Sequence, residues 1–513
     1  MGSQIRNRLG KLDKNRKYAF LFDTQNINKE VKQKSVKAGV ANLASQTLSL
    51  SITLVRAAIL ARLLSPDDYG VFTMVIIIIS FALIFKDLGL STATIREKEI
   101  THEQVSNLFW INTLLGFLSM VVVIVLAPGI VWFYDDSRLA SIALVLSVAF
   151  LFGGLAVQHQ ALLRRQMQFG QIAVITICAG LASSMLGILI AWFQYGYWAL
   201  IWMEVSRSFF LMIGFWCFTK WIPGLPSKRA GTKRFLKIGF DVAGLNAFST
   251  ITQNLDKIIA GRIANASLLG LYSKGNQVPN LISGQFRMAF FSVALPALSS
   301  LQKEQERFAK YYYDFLNLIC WVTMPFAVML FVFADEIIQL YFGPKWIDAA
   351  IFMKIFAIHS LIMPAVTTLD QIPLALGHSR RYLLGGVVRS IGTIVCVVIG
   401  AVLYGVIGVA IGVSIANLIT FIPFARLCVK DSPVTIKDYL KTLYIPLLTS
   451  IGIGGIAYWY KFHYFNNGIF YDLLSMLVYL IAVLTFLLVF DFLRIGHHIG
   501  IVEYLFKRQE NQS

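Results

Sequence analysis

Long apolar runs separated by short polar connections recur along the whole chain of 513 residues. Each run is close to the ~20 residues that an α-helix needs to cross the hydrocarbon core of a bilayer. The pattern therefore predicts an all-α, polytopic membrane protein with 14 transmembrane helices. The predicted spans are 35–64, 67–89, 104–127, 139–161, 170–193, 197–219, 236–264, 268–299, 311–333, 348–377, 381–403, 406–427, 440–460 and 471–493.

A repeat with an offset of 200 residues relates the first predicted span to the seventh. Five residues recur without a gap, and they are Gly39, Ser49, Ile59, Arg62 and Gly70, repeated as Gly239, Ser249, Ile259, Arg262 and Gly270. Both copies start from the same side of the membrane, which indicates two homologous bundles related by an axis along the membrane normal.

The repeat sets the predicted domain organisation. Two pseudo-symmetric six-helix lobes are expected, joined by a basic linker and followed by two extra C-terminal helices, with a polar tail at each terminus. The predicted segments are the tail 1–34, the N-lobe 35–219, the linker 220–235, the C-lobe 236–430, the two helices in 431–493 and the tail 494–513.

Charge distribution predicts the orientation of the chain in the membrane. The protein has 45 Lys and Arg against 27 Asp and Glu, a net charge of +18. With the N-terminus inside, 33 basic residues lie in or beside inside connections, whereas the outside loops contain only Arg138, Lys345 and Lys461. By the positive-inside rule both termini are cytoplasmic. The excess of basic residues thus reports the orientation of the chain in the membrane. These residues are also expected to contact anionic lipids. Nucleic-acid binding is not expected.

Two polar stripes lie on the repeated helices. Spacings of 3, 4 and 3 residues place each stripe on one helix face. Their members are Gln46, Ser49, Thr53 and Arg56 in the first span, and Asn246, Ser249, Gln253 and Asp256, next to Lys257, in the seventh. Such faces are too polar for lipid. We expect them to face each other across a central cavity, with Asp256 neutralising Arg56. The alternative is that they only join helices through hydrogen bonds.

Further charged residues lie inside predicted spans, and cations outnumber anions among them. Lys274 and Arg287 belong to the eighth span and Arg389 to the eleventh, while Glu204 and Arg207 are one turn apart and are expected to pair with each other. A cavity with a surplus of positive charge favours an anionic substrate.

No sequence motif for catalysis or metal binding is present. The chain lacks HExxH, Walker A and GxSxG patterns, and its five cysteines show no CxxC spacing. The chain is therefore not expected to be an enzyme or to use a metal or cofactor. In the absence of a nucleotide site, transport would draw on an H⁺ or Na⁺ gradient, the membrane potential or the substrate gradient.

Several motifs resemble a known family in their order along the chain. AILARLLSPDDYGVFTMV in the first lobe and LDKIIAGRIANASLLGLYSKG in the second resemble the paired signatures of the polysaccharide transporter family. FKDLGLSTATIREKEIT, followed by LFWINTLLG, is similar to that family's connection between helices two and three, and YFGPKWIDAAIFMKIFA resembles its entry to helix ten. The family belongs to the multidrug/oligosaccharidyl-lipid/polysaccharide exporter superfamily.

The resemblance implies a flippase of the Wzx type that works by alternating access. Such a protein moves a polyprenyl-pyrophosphate-linked oligosaccharide across a bacterial inner membrane for export of lipopolysaccharide or exopolysaccharide, and polysaccharide polymerases are expected partners. The anion candidates are then Arg56, Lys257, Lys274, Arg287 and Arg389. The main alternative is a cation-coupled multidrug antiporter of the same superfamily, which needs buried carboxylates, and a further one is a scramblase or a structural partner of glycan-assembly enzymes.

Overall fold

The fold is all-α in a computed structural model that describes residues 31–87, 89–97, 100–227, 250, 252–464, 475–479, 481 and 483. Side chains are described for these residues except 31–44, 78, 81–87, 282, 286–292, 462 and 464. Among the described residues no strand occurs, and nine helices are long and apolar enough to cross a membrane, with Ser379–Val429 counted as one. The chain is therefore a polytopic α-helical membrane protein. The count of fourteen spans stays a prediction.

The helices follow the predicted spans closely, with two short additions. They are α1 Val31–Leu63, α2 Pro66–Asp87, α3 Leu90–Arg96, α4 His102–Tyr134, α5 Arg138–Arg165, α6 Phe169–Trp192, α7 Trp198–Thr219, α8 at 252–263, α9 Ala266–Ser300, α10 Gln305–Val332, α11 Ala334–Tyr341, α12 Ala349–Leu369, α13 Gln371–Ala375, α14 Ser379–Val429 and α15 Ile436–Tyr464. A single 3₁₀ turn, Pro344–Trp346, precedes α12. The short helices α3 and α11 were not predicted, because neither is long enough to give an apolar run.

The predicted eleventh and twelfth spans are the two arms of α14. Its backbone leaves helical geometry at Tyr404 and at Gly405, where φ is +58°. Only glycine adopts this combination of angles without strain. A β-carbon on Gly400 would overlap the carbonyl oxygen of Gly408, and one on Gly408 would overlap that of Gly400. The two arms therefore fold back on each other in direct backbone contact.

The chain divides into two compact units, Met1–Gly270 and Leu271–Ser513. The predicted lobe boundary, at the linker 220–235, stays a prediction because residues 228–235 lie outside the described ranges. Most of the tail 1–34, most of the last span and the tail 494–513 also lie outside them.

The repeat is visible in how two helices, α2 and α9, begin within the first unit. Ser65 caps α2: its hydroxyl accepts a hydrogen bond from the Asp68 amide (3.2 Å), and the Asp68 carboxylate accepts one from the Ser65 amide (2.9 Å). At the position 200 residues later, Asn265 caps α9 by accepting a hydrogen bond from the Leu268 amide (2.9 Å). Both caps satisfy amides that the first turn of a helix leaves without partners.

The segment that leaves α7 is fixed to α4 by side-chain hydrogen bonds. The indole of Trp221 is fully buried and donates to Nδ1 of His102 (3.0 Å). The Asn107 side chain accepts from the Ser227 amide (2.7 Å) and donates to the Ser227 carbonyl (2.5 Å). The Gly224 amide donates to the hydroxyl of Ser106 (2.8 Å). The first half of the predicted linker is thus part of the first unit.

Candidate functional site

The polar stripe of α1 is largely accessible. Gln46 is exposed, and Ser49, Thr53 and Arg56 are partly exposed. The Thr53 hydroxyl donates to the Ser49 carbonyl (2.8 Å), so its single donor is used within its own helix. This bond of Thr53 therefore does not join α1 to another helix. Arg56, in contrast, carries a partly exposed charged side chain.

The second stripe is described only in its last part. In α8, Gln253 is exposed, Asp256 is 7% exposed and Lys257 is partly exposed. Asn246 and Ser249 lie outside the described residues. The predicted neutralisation of Arg56 by Asp256 is wrong, because no ion pair to Arg56 occurs among the described residues.

The charges near Arg56 come from α7 instead. Glu204 and Arg207, both partly exposed, act electrostatically on the Arg56 guanidinium, as does Tyr69 of α2. Within the described residues, Arg56 forms no hydrogen bond or ion pair, and no ion pair joins Glu204 to Arg207, contrary to the expected pairing. The three charges are therefore close to one another but not in contact.

Two other predicted anion-binding cations are already held by protein groups. Lys274 is 3% exposed, its ammonium donates to Oε1 of Gln277 (3.0 Å), and it lies 4.8 Å from the Phe342 ring centroid and 5.7 Å from that of Trp346. Such cation–π contacts stabilise a desolvated cation. The local structure thus gives Lys274 a packing role inside the second unit.

Arg389 is paired in the second unit. Its guanidinium donates to Oδ2 of Asp370 (2.9 Å) and lies 4.6 Å from the ring centroid of Phe424. Asp370, at the junction of α12 and α13, is 5% exposed. Because the charge of Arg389 is largely compensated, it attracts an anion less than an unpaired cation does. The Arg287 side chain is not among those described.

Lys257 resembles Arg56 in its exposure. The residue is partly exposed and, among the described residues, its ammonium takes part in no hydrogen bond or ion pair. Of the five predicted cations, Arg56 and Lys257 are thus the two described ones whose charge the protein leaves uncompensated by a direct contact. Both belong to the first unit.

The sequence pattern gave no prediction of a buried polar chain in the first unit. Gln158 of α5 accepts from the Thr94 hydroxyl (2.8 Å) and donates to Oδ1 of Asn112 (2.9 Å). Arg165, 4% exposed, donates to the carbonyls of Thr94 (2.9 Å) and Glu97 (2.5 Å). The only feature of the sequence that could have indicated this chain was the presence of polar residues within apolar spans. This chain fixes α3 to α4 and α5.

The first turns of α2 and α5, predicted to lie on the outer side of the membrane, are joined by a small network of charged residues. Arg138 contacts Asp67 (2.6 Å) and Asp136 (2.7 Å). The hydrogen bond from Arg138 lowers the pKa of Asp136 below its usual range, although partial burial acts in the opposite direction. Among the described residues, no group of three or more His, Cys, Asp or Glu side chains is arranged to bind a metal ion.

Comparison with solved structures identifies the class of protein that this fold represents. The lipid II flippase MurJ, in an inward closed conformation, matches with a TM-score of 0.72 at 18% identity, over 90% of this chain and 100% of that one. A multidrug resistance transporter of the MATE family, in an inward-facing conformation, matches with a TM-score of 0.56 at 12% identity, over 80% and 98%. This chain therefore shares its fold with both of these proteins.

Sequence comparison then assigns the family. Residues 59–351 match the family described as "Polysaccharide biosynthesis protein", and the chain belongs to it. It is 23% identical to the lipopolysaccharide biosynthesis protein WzxC of Escherichia coli (strain K12), over 83% of this chain and 88% of that protein. It is also 23% identical to the teichuronic acid biosynthesis protein TuaB of Bacillus subtilis (strain 168), over 83% and 89%. The resemblance inferred from the motifs is confirmed.

Proposed function

We propose that this protein is a flippase that moves a polyprenyl-pyrophosphate-linked oligosaccharide across the inner membrane for polysaccharide export, by alternating access. Family membership, relatives named for lipopolysaccharide and teichuronic acid biosynthesis, and the fold shared with a lipid II flippase support the proposal. We further propose that both termini are cytoplasmic, that an H⁺ or Na⁺ gradient contributes the energy, and that a polysaccharide polymerase receives the product.

The observation that carries the proposal is the pair of uncompensated cations in the first unit. A charged side chain inside a membrane-spanning bundle is costly unless it is paired or hydrated. Arg56 and Lys257 have no direct counterion among the described residues, so a bound anion would stabilise them. The pyrophosphate of a lipid-linked glycan is such an anion, and guanidinium and ammonium groups form charge-assisted hydrogen bonds with its oxygens.

The polar residues on the same two helices as these cations suit the glycan part of the substrate. Gln46, Ser49 and Gln253 are at least partly exposed and carry amide or hydroxyl groups, which both donate and accept hydrogen bonds. Sugar hydroxyls need partners of this kind. Asn246 and Ser249 belong to the same proposed surface on the basis of sequence position.

The rival function, export of cationic drugs in exchange for a cation, is less well supported. That chemistry needs a carboxylate within the helices, where it can exchange a proton or sodium ion for the drug. α1, α3, α5 and α6 contain no Asp or Glu, and the acidic residues of α2 and α4 lie only at helix ends, at Asp67, Asp68, Asp87 and Glu103. The matching family is also one of polysaccharide biosynthesis.

The test is export in cells that lack the gene and carry a plasmid copy. We expect surface polysaccharide to be lost on deletion and restored by the wild-type chain. Arg56→Gln and Lys257→Gln should each fail to restore it while reaching the membrane in normal amounts. Arg164→Gln, at an exposed position, is the matched control and should restore export fully. Unchanged polysaccharide on deletion, together with increased drug sensitivity, would establish the antiporter instead.

A further inference from the structure

Arg56 of α1 lies within electrostatic range of two charged residues of α7, Glu204 and Arg207. The last turns of α1 and the first turns of α7 share a buried apolar cluster that includes Leu60 and Met203. Arg56 is four residues before Leu60, and Arg207 is four residues after Met203, so each lies one turn from the cluster on the same face of its helix. Glu204 is one turn before Arg207.

α1 packs on α6 and α6 packs on α7, so the cluster, which includes Ala191 of α6, connects the end of α1 to the start of α7. α1 ends at the cluster and α7 begins there. Arg56, one turn back along α1, and Arg207, one turn forward along α7, therefore lie on the same side of the cluster. The electrostatic influence of Glu204 and Arg207 on Arg56 agrees with this geometry.

None of the three charges is satisfied by the part of the protein that the structure describes. Arg56, Glu204 and Arg207 are partly exposed, and among the described residues no hydrogen bond or ion pair is formed by any of their charged groups. Charged groups in a membrane bundle need water or a ligand to offset the loss of solvation. Two guanidinium groups and one carboxylate leave a net charge of +1, which favours an anion.

We propose, on the basis of the proposed function, that these residues bind the junction between the phosphate and the first sugar of the lipid-linked glycan. Arg56 and Arg207 bind phosphate oxygens, since the planar guanidinium matches phosphate geometry and donates two parallel hydrogen bonds. Glu204 accepts a hydrogen bond from a hydroxyl of the sugar next to the phosphate, because an ionised carboxylate only accepts and repels phosphate.

The carboxylate gives the site a selectivity that two arginines alone lack. A phospholipid headgroup or free pyrophosphate offers anionic oxygens to the arginines but no ring of hydroxyls to Glu204. Such ligands therefore meet the repulsion of the carboxylate without a compensating hydrogen bond. A sugar-bearing pyrophosphate lipid meets both halves of the site.

The test is binding to the purified full-length protein in phosphatidylcholine nanodiscs. The probes are undecaprenyl pyrophosphate and the same lipid with one hexose attached. We expect Arg56→Gln and Arg207→Gln each to raise the Kd for both probes by about tenfold, the loss of one charge-assisted hydrogen-bond pair. Arg262→Gln, on the exposed side of α8, is the matched control and should leave both Kd values unchanged.

Glu204→Gln separates the two halves of the site. It should leave the Kd for undecaprenyl pyrophosphate unchanged or lower, because a repulsive charge is removed, and should raise the Kd for the hexose-bearing lipid. Equal competition by phosphatidylglycerol and by the hexose-bearing lipid would overturn the proposal in favour of a general anion site. A Kd for Arg207→Gln equal to that of the wild type would also overturn it.

A measurement on the wild-type protein tests the site even if the variants fail to fold. Phenylglyoxal labelling of Arg56 and Arg207, read by mass spectrometry, should slow when the hexose-bearing lipid is bound, while labelling of Arg262 continues. No protection would contradict the site. Failure of this inference differs from failure of the proposed function, since the latter appears as unchanged export on gene deletion.

Discussion

Gly70, the fifth residue of α2, lies directly against the carbonyl oxygen of Ala266, the first residue of α9. A β-carbon on Gly70 would overlap this oxygen. The reciprocal contact joins Gly270 to the carbonyl of Pro66, so each glycine of the repeat meets the helix start that the other copy provides. The identity between Gly70 and Gly270, first seen as a sequence repeat, therefore reflects a contact that only glycine permits on both sides.

This contact predicts the effect of adding one methyl group. Gly70→Ala and Gly270→Ala should each destabilise the protein by ~1–3 kcal/mol, because the backbone must move to relieve the overlap. Thermal unfolding in detergent measures the effect. Gly129→Ala, where an added β-carbon meets nothing within 4 Å, is the matched control and should show no loss. Equal stability of all three variants would show that the contact is not tight.

The two neighbouring arginines at the end of α5 should differ in their contribution to stability. Arg165 is buried and donates to two backbone carbonyls of the α3 region, whereas Arg164 is exposed. Arg165→Gln leaves those carbonyls without a donor and should cost ~1–3 kcal/mol. Arg164→Gln should be neutral in the same melting experiment. A similar loss for both variants would exclude the hydrogen bonds as the cause.

The Asp370–Arg389 pair predicts a non-additive double variant. Arg389→Met removes the counterion of a nearly buried carboxylate and should cost ~3–5 kcal/mol. Adding Asp370→Asn removes the stranded charge, so the double variant should regain most of that stability. Melting temperatures of the two single variants and the double variant measure the coupling. Additive losses would show that the pair contributes little.

Asp136 predicts a dependence of stability on pH. Its folded-state pKa is lowered, chiefly by the hydrogen bond from Arg138, so the stabilisation is fully present above the unfolded pKa of 3.8. It is lost as the pH falls through the lower folded value. Asp136→Asn should therefore be less stable than the wild type at pH 7, with a difference that shrinks as the pH falls below 3.8. A difference that stays constant from pH 7 to pH 3 would rule out titration of this carboxyl.

The sequence alone predicted the helices well because lipid imposes a simple rule on them. A spanning segment must be long, apolar and helical, and its limits can be read from composition. The break at Tyr404–Gly405 was also placed correctly between two predicted spans. The short helices α3 and α11 were missed because neither is long enough to give an apolar run, and α3 is held in place by the hydrogen bonds of Arg165.

The partners of charged residues were harder to predict. Helical spacing placed Arg56 on the face of the polar stripe, and this face is accessible as expected. Helical spacing does not show which neighbouring helix places a charged residue near Arg56. Symmetry between the repeats suggested Asp256, whereas Glu204 and Arg207 are the charged residues that act on Arg56. Likewise, nothing in the local sequence of Lys274 indicated the aromatic rings of Phe342 and Trp346 that enclose it.

The attachment of residues 221–227 to α4 has a consequence for anyone who wants to modify this protein. A reporter domain or protease site inserted between Trp221 and Ser227 would have to withdraw a fully buried indole and break the paired hydrogen bonds of Asn107. A nick made there would leave the cut ends bound in place. Residues 221–227 are therefore unsuitable for a tag or a cleavage site, although they belong to the predicted linker.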